Sequence, residues 1–189
     1  MFDYCGGSIH AESDGKTTDM SILTERADLN AVIDAVKTWD GIDPERIGII
    51  GYSQGGLVAA ITAAERDDIW RLCLQYPAFS MVDEIRSAYS TADSIPDMID
   101  RNGMLTGRVY YEDVVTFPAE NIYAYAAGYT GPVLLIHGTA DLLVPYASSV
   151  TANDTYPNSE LIAIEGAGHG FTGEDDVFSV RMEYEFFTK

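Results

Sequence analysis

Ser53 stands inside Gly51-Tyr52-Ser53-Gln54-Gly55, between a short apolar run and a stretch rich in helix formers. A serine on a tight turn from strand to helix is lifted clear of the sheet, and the first N–H groups and dipole of the helix favour negative charge developing beside it. The glycines two positions before and after Ser53 are expected to avoid clashes with neighbouring backbone in such a turn. A serine hydroxyl is a weak nucleophile near neutral pH, so it needs a base, and the base needs an acid to hold it. Two later motifs supply candidates. Asp141 lies in His137-Gly-Thr-Ala-Asp-Leu-Leu-Val-Pro145 and His169 in Gly166-Ala-Gly-His-Gly-Phe171, each just past an apolar run. Acyl transfer through a serine ester is the chemistry this set can perform.

Each of these residues also has a plainer reading. The chain holds 30 acidic side chains, and Asp141 is singled out only by its place after a strand and by the Leu-Val-Pro that follows. Histidine is scarce, with His10, His137 and His169 alone. His137 ends an apolar run directly before Gly138 and reads as a structural histidine bonded to nearby backbone; His10 lies in an early polar loop and reads as solvated. Cys5 and Cys73 are too few for a disulfide framework and lack metal-ligand spacing, so both read as buried small hydrophobes.

The elements that must position these residues follow from periodicity. Leu29, Val32, Ile33 and Val36 recur at helical spacing, which predicts a helix over 20–39 with Asp19 or Ser21 as its N-cap. After the Gly41-Ile-Asp-Pro44 turn, 46–52 reads as a strand buried on both faces of a parallel sheet, leading straight into a helix over 55–65. Further strands are expected at 70–76, 132–137 and 160–164, with helices at 146–155 and from 175 to the end. This alternation is that of an α/β protein. The segment 79–130 interrupts it, is too long for a simple connection and carries eight aromatic side chains. It reads as a small lid inserted into a core formed by 1–78 and 131–189.

Composition narrows the partners. The 189 residues are 47% hydrophobic and 22% charged, which fits one globular domain. A net charge of −19 opposes binding to phosphate backbones and anionic lipid, so neither a nucleic-acid nor a membrane-surface role is expected. No apolar run approaches the roughly 20 residues of a membrane-spanning helix, and no secretory h-region opens the sequence, which gives a cytoplasmic protein as the expectation.

Taken together, Phe2-Asp-Tyr-Cys-Gly-Gly7, Ser13-Asp-Gly15, Asp19-Met-Ser-Ile-Leu-Thr-Glu25, Gly51-Tyr-Ser-Gln-Gly-Gly56, His137-Gly-Thr-Ala-Asp141 and Gly168-His-Gly170 resemble bacterial α/β hydrolases of the cinnamoyl (feruloyl) esterase type. Their core is shared with prolyl-oligopeptidase-like serine hydrolases, and the resemblance covers nearly the whole chain. It implies an α/β-hydrolase fold: a mostly parallel sheet with helices on both faces and a small lid. It also implies a Ser53, Asp141, His169 triad, the backbone N–H of Gln54 as one oxyanion donor, a small-molecule ester as substrate, and no metal or organic cofactor. The lid would shape the acyl pocket, with Tyr110 and Tyr111 either touching substrate or packing the lid onto the body. Members of the family carry earlier strands and a His-Gly loop that gives a second oxyanion donor; no such loop occurs here, so an N-terminally truncated core is expected. The strand at 46–52 would then be an open edge able to recruit a second copy of the chain. A peptidase of the same fold, or an inactive remnant serving as an interaction module, are the alternatives.

Overall fold

The computed structural model describes every residue except Met1, Ala11 and Asn102. Ser21 starts the first helix: its side chain accepts from the N–H groups of Leu23 and Thr24, and the Thr24 hydroxyl accepts from the Ser21 N–H. This reciprocal cap satisfies donors that the helix cannot. Helix α1 (Ile22–Val36) buries Ile22, Glu25, Leu29 and Ile33, and stops short of the expected 39 because residues 37–39 turn away.

The remaining elements are β1 (Gly48–Tyr52), α2 (Ser53–Ala64), β2 (Arg71–Gln75), α3 (Ser80–Ala88), β3 (Met98–Arg101), β4 (Met104–Gly107), α4 (Arg108–Thr116), α5 (Ile122–Ala126), β5 (Val133–Gly138), α6 (Tyr146–Thr155), β6 (Ser159–Ile164) and α7 (Glu174–Thr188). Four strands form one parallel sheet in the order β1-β2-β5-β6, with Ile50 opposite Cys73, Leu74 opposite Leu135 and His137 opposite Ala163. Strands β3 and β4 make a separate antiparallel hairpin.

Alternate side chains of the sheet feed two apolar clusters, as the two-residue period of a strand requires. Leu72, Leu74, Val133 and Leu135 pack with Leu57 and Ile61 of α2, whereas Cys73, Leu134, Ile136 and Ile164 pack under Phe178, Met182 and Phe186 of α7. Helices therefore cover both faces. Strand β5 is buried along its whole length, which explains its continuous apolar run. Strand β1 departs from the expectation of burial on both faces. It is an edge strand, and Gly48, Ile50 and Tyr52 are exposed while Ile49 and Gly51 are buried.

Residues 79–130 fold as α3, the β3–β4 hairpin, α4 and α5, and place Phe79, Tyr110, Val114, Phe117 and Ile122 in the same cluster as α1 and α2. Arg86 ties this segment together by donating to the carbonyls of Val114, Phe117 and Ala119 at 2.7–3.1 Å. Cys73 is buried as expected, but Cys5 is exposed, on an N-terminal turn whose Cys5 N–H donates to Asp28 Oδ2 at 2.8 Å. Among the described residues no helix is long and apolar enough to cross a membrane.

Candidate active site

Ser53 opens α2 with φ 51°, a left-handed conformation that costs an L-residue strain and is kept where the surroundings force it. Gly51 is one of the forcing residues: a Cβ there would stand 2.6 Å from the Gly55 carbonyl oxygen and 2.8 Å from Ala59 Cβ. The second is Gly56 rather than Gly55. A Cβ on Gly56 would meet Pro77 at 3.0 Å, because α2 starts across the end of β2, whereas one on Gly55 would only touch the Tyr4 ring at 3.7 Å.

Because β1, β5 and β6 run parallel, the loops that leave their carboxyl ends share one edge of the sheet, where open α/β folds place their ligands. Ser53 follows β1, Asp141 follows β5 and His169 follows β6. There they form one hydrogen-bonded chain: the Ser53 hydroxyl donates to His169 Nε2 at 2.9 Å, and His169 Nδ1–H donates to Asp141 Oδ2 at 2.7 Å. The His169 ring leans on Tyr76, with centroids 4.7 Å apart, and Tyr76 in turn packs edge-on against Phe171. Tyr76 carried no motif; the sequence reads it as the last residue of a strand over 70–76, whereas β2 ends at Gln75 and leaves Tyr76 at this edge.

The Asp141 carboxylate has a partner for each oxygen. Oδ1 accepts from the N–H groups of Leu143 at 2.8 Å and Val144 at 2.9 Å. Oδ2 accepts from His169 and, at 3.2 Å, from His137. Burial alone would raise the Asp141 pKa, but these hydrogen bonds outweigh it and hold the carboxyl below its ordinary value. His137 is fully buried, and its Nε2 faces both Asp141 and the Val144 carbonyl at 3.1 Å. Two acceptors there require the proton on Nε2, so Nδ1 accepts from the Ser149 hydroxyl at 2.6 Å. Burial pushes the His137 pKa down, which keeps the ring neutral. His137 is thus bonded to backbone as the sequence suggested, and it also supports Asp141. His10 is exposed.

A groove of about 400 Å³ runs beside Ser53, lined among others by Tyr4, Met20, Glu25, Gln54 and Met104. The backbone N–H of Gln54 belongs to the first turn of α2, whose N–H groups have no partner within the helix. The Gln54 side chain is gripped from two sides: its Nε2 donates to Glu25 Oε2 at 2.8 Å, and its Oε1 accepts from the Tyr110 hydroxyl at 2.5 Å. Tyr110 and Tyr111, expected at substrate or in packing, are 0% and 6% exposed and stack edge-to-face at 5.0 Å beneath the groove's described lining. The part of the 79–130 segment that reaches the groove is Met104, at the start of β4. Glu25 was missed by sequence reasoning, although a glutamate on the Ile22, Leu29, Ile33 stripe of α1 was the available signal. Among the described residues no group of three or more His, Cys, Asp or Glu is arranged to hold a metal ion.

Comparison with known proteins bears on this arrangement. The sequence profile of the prolyl oligopeptidase family matches residues 23–189. The solved structure of Est1E from Butyrivibrio proteoclasticus with ferulic acid bound superposes with a TM-score of 0.85 at 29% identity, covering 97% of this chain and 74% of that one. Alpha/beta hydrolase domain-containing protein 17C of Mus musculus is 29% identical over 169 residues, which are 89% of this chain and 44% of that protein. Protein YfhR of Salmonella typhi, itself uncharacterised, is 31% identical over 151 residues, 79% of this chain and 46% of that protein. The chain therefore spans less than half the length of the curated relatives it matches.

Proposed function

This chain belongs to the prolyl oligopeptidase family and carries the α/β-hydrolase fold, and from that premise we propose that it cleaves carboxylic esters through an acyl-enzyme on Ser53. The observation that carries the reading is the chain Ser53, His169, Asp141, with links of 2.9 and 2.7 Å. In this mechanism His169 Nε2 takes the Ser53 proton as Oγ attacks the ester carbonyl, then gives it to the departing alcohol. Asp141 keeps the other ring proton on Nδ1 and steadies the imidazolium, while His137 and the Leu143 and Val144 N–H groups keep Asp141 ionised and in place. The Gln54 backbone N–H faces the oxygen on which negative charge develops. Water, activated by His169, then hydrolyses the acyl-serine.

The groove and the similarity to Est1E, a protein seen with ferulic acid, support a choice of substrate class. The groove's tyrosine and methionine side chains suit flat, short acyl groups. Feruloyl, cinnamoyl or other short aryl esters are thus the proposed substrates, with 79–130 as a lid over a core of 1–78 and 131–189. Comparing kcat/KM on methyl ferulate and on a long-chain acyl ester tests this choice. We expect methyl ferulate to be preferred, and a strong preference for the long chain contradicts the proposal. A peptidase is the second reading, favoured by the family's name; hydrolysis of a peptide anilide in preference to either ester would support it.

A further inference from the structure

One buried carboxylate beside the nucleophile has no part in the reaction just described. Glu25 is 3% exposed, lies on the apolar stripe of α1 and lines the groove that holds Ser53. Burying a carboxylate is costly, and a leucine would fill the same stripe without that cost, so stability does not explain this glutamate. Among the described residues its one side-chain hydrogen-bond partner is Gln54, whose Nε2 donates to Oε2 at 2.8 Å and also touches Met20 Sδ at 3.3 Å. The opposite end of the same amide accepts from Tyr110 at 2.5 Å. The amide nitrogen thus faces Glu25, whose Oε2 accepts, and the amide oxygen faces the phenol, which donates. Side chains from α1 and α4 thereby fix one residue of α2, the residue that follows Ser53.

We propose that Glu25 is a positioning residue for the oxyanion site: through the Gln54 side chain it holds the turn whose backbone N–H faces the developing oxyanion. The proposal rests on the serine-hydrolase reading given above. Ser53 sits at a strained φ of 51°, and a strained turn keeps its geometry only while its neighbours restrain it. The restraint matters when charge gathers on the carbonyl oxygen, so it acts on turnover rather than on ester binding. Tyr110 comes from the 79–130 segment, and the same grip therefore joins that segment to the elbow.

Steady-state kinetics on an aryl ester test the role in three variants. E25A releases the amide, and kcat falls about 10- to 100-fold with KM held within about threefold, less than the full loss of an oxyanion donor. E25Q still offers an acceptor oxygen to Gln54 Nε2 and restores kcat to within about threefold of wild type. Y110F removes the second partner without opening a cavity, lowers kcat about 3- to 10-fold, and gives the decision should E25A fail to fold. Wild-type kcat in E25A and Y110F, a loss confined to KM, or an E25Q variant as impaired as E25A would each overturn the positioning role alone. A wild-type protein that hydrolyses no ester and takes no fluorophosphonate label would overturn the hydrolase reading, and the positioning role with it.

Discussion

The carboxylates near Ser53 are held in opposite states by their surroundings. Asp141 is surrounded by N–H donors and kept below its ordinary pKa. Glu25 is pushed up to about 7: burial is the largest cause and the Asp28 charge adds to it, while the Gln54 hydrogen bond opposes them. The Tyr4 and Met20 side chains close the same space without supplying a cation. The folded protein thus holds a proton on Glu25 between about pH 4.3, the ordinary glutamate value, and about 7, whereas the unfolded chain releases it. Its contribution to stability is complete below that window and is lost as the pH rises through it. Melting wild type and E25Q side by side should show wild type losing about 5 °C or more relative to E25Q as the pH rises across the window, and a constant difference would show that Glu25 titrates normally. Ser53, Asp141 and His169 were legible in the sequence because glycines and strand ends mark them. Glu25 was not: it stood only as the last residue of the Asp19–Glu25 motif with no role attached, and its purpose depends on what the opposing helix presents.

At the scale of elements, the elbow depends on how closely α2 passes its neighbours. Gly51 has the Gly55 carbonyl oxygen within 2.6 Å of where a Cβ would sit, and backbone cannot yield as a side chain tip can. Gly55, with nothing nearer than 3.7 Å, is spare room in a helix. Gly51→Ala should therefore destabilise by about 1–3 kcal/mol through overpacking, while Gly55→Ala should be neutral or stabilise by up to about 1 kcal/mol. Denaturant melts of both variants decide this, and equal losses would show that the two glycines serve the same purpose. The core strands were readable as apolar runs and the core helices from helical periods or helix formers, so the α/β class and the order of the core elements could be read before the structure, whereas α3, the β3–β4 hairpin, α4 and α5 within 79–130 could not. The forced role of Gly56 could not, because it needs Pro77 at the end of β2, a contact between residues that the sequence holds 21 positions apart. Tyr110 and Tyr111 illustrate the same limit: their type suits a substrate pocket, but α3 and the hairpin cover them.

For the whole molecule, β1 stands at an edge of the four-stranded sheet. Ile50 and Tyr52 are 41% and 39% exposed, and among the described residues no strand pairs with that edge. Unpaired N–H and C=O groups flanked by apolar side chains recruit another strand, so self-association through β1 is expected despite the −19 charge. Ile50→Lys should shift the protein toward monomer in light scattering at matched concentration, since a charge on an edge strand discourages pairing. An unchanged mass would place the contact elsewhere. The alternating exposure of β1 was hidden in the sequence for the same reason, because an apolar run reads as buried until one knows whether a neighbour covers it. The most direct test remains chemical reactivity at one oxygen. After reaction with a fluorophosphonate, peptide mapping should find the adduct on Ser53, absent in Ser53→Ala and formed at least about a hundredfold more slowly in His169→Ala. No adduct on Ser53, or a His169→Ala protein that reacts as fast as wild type, would mean that the hydrogen-bonded chain does not activate the serine.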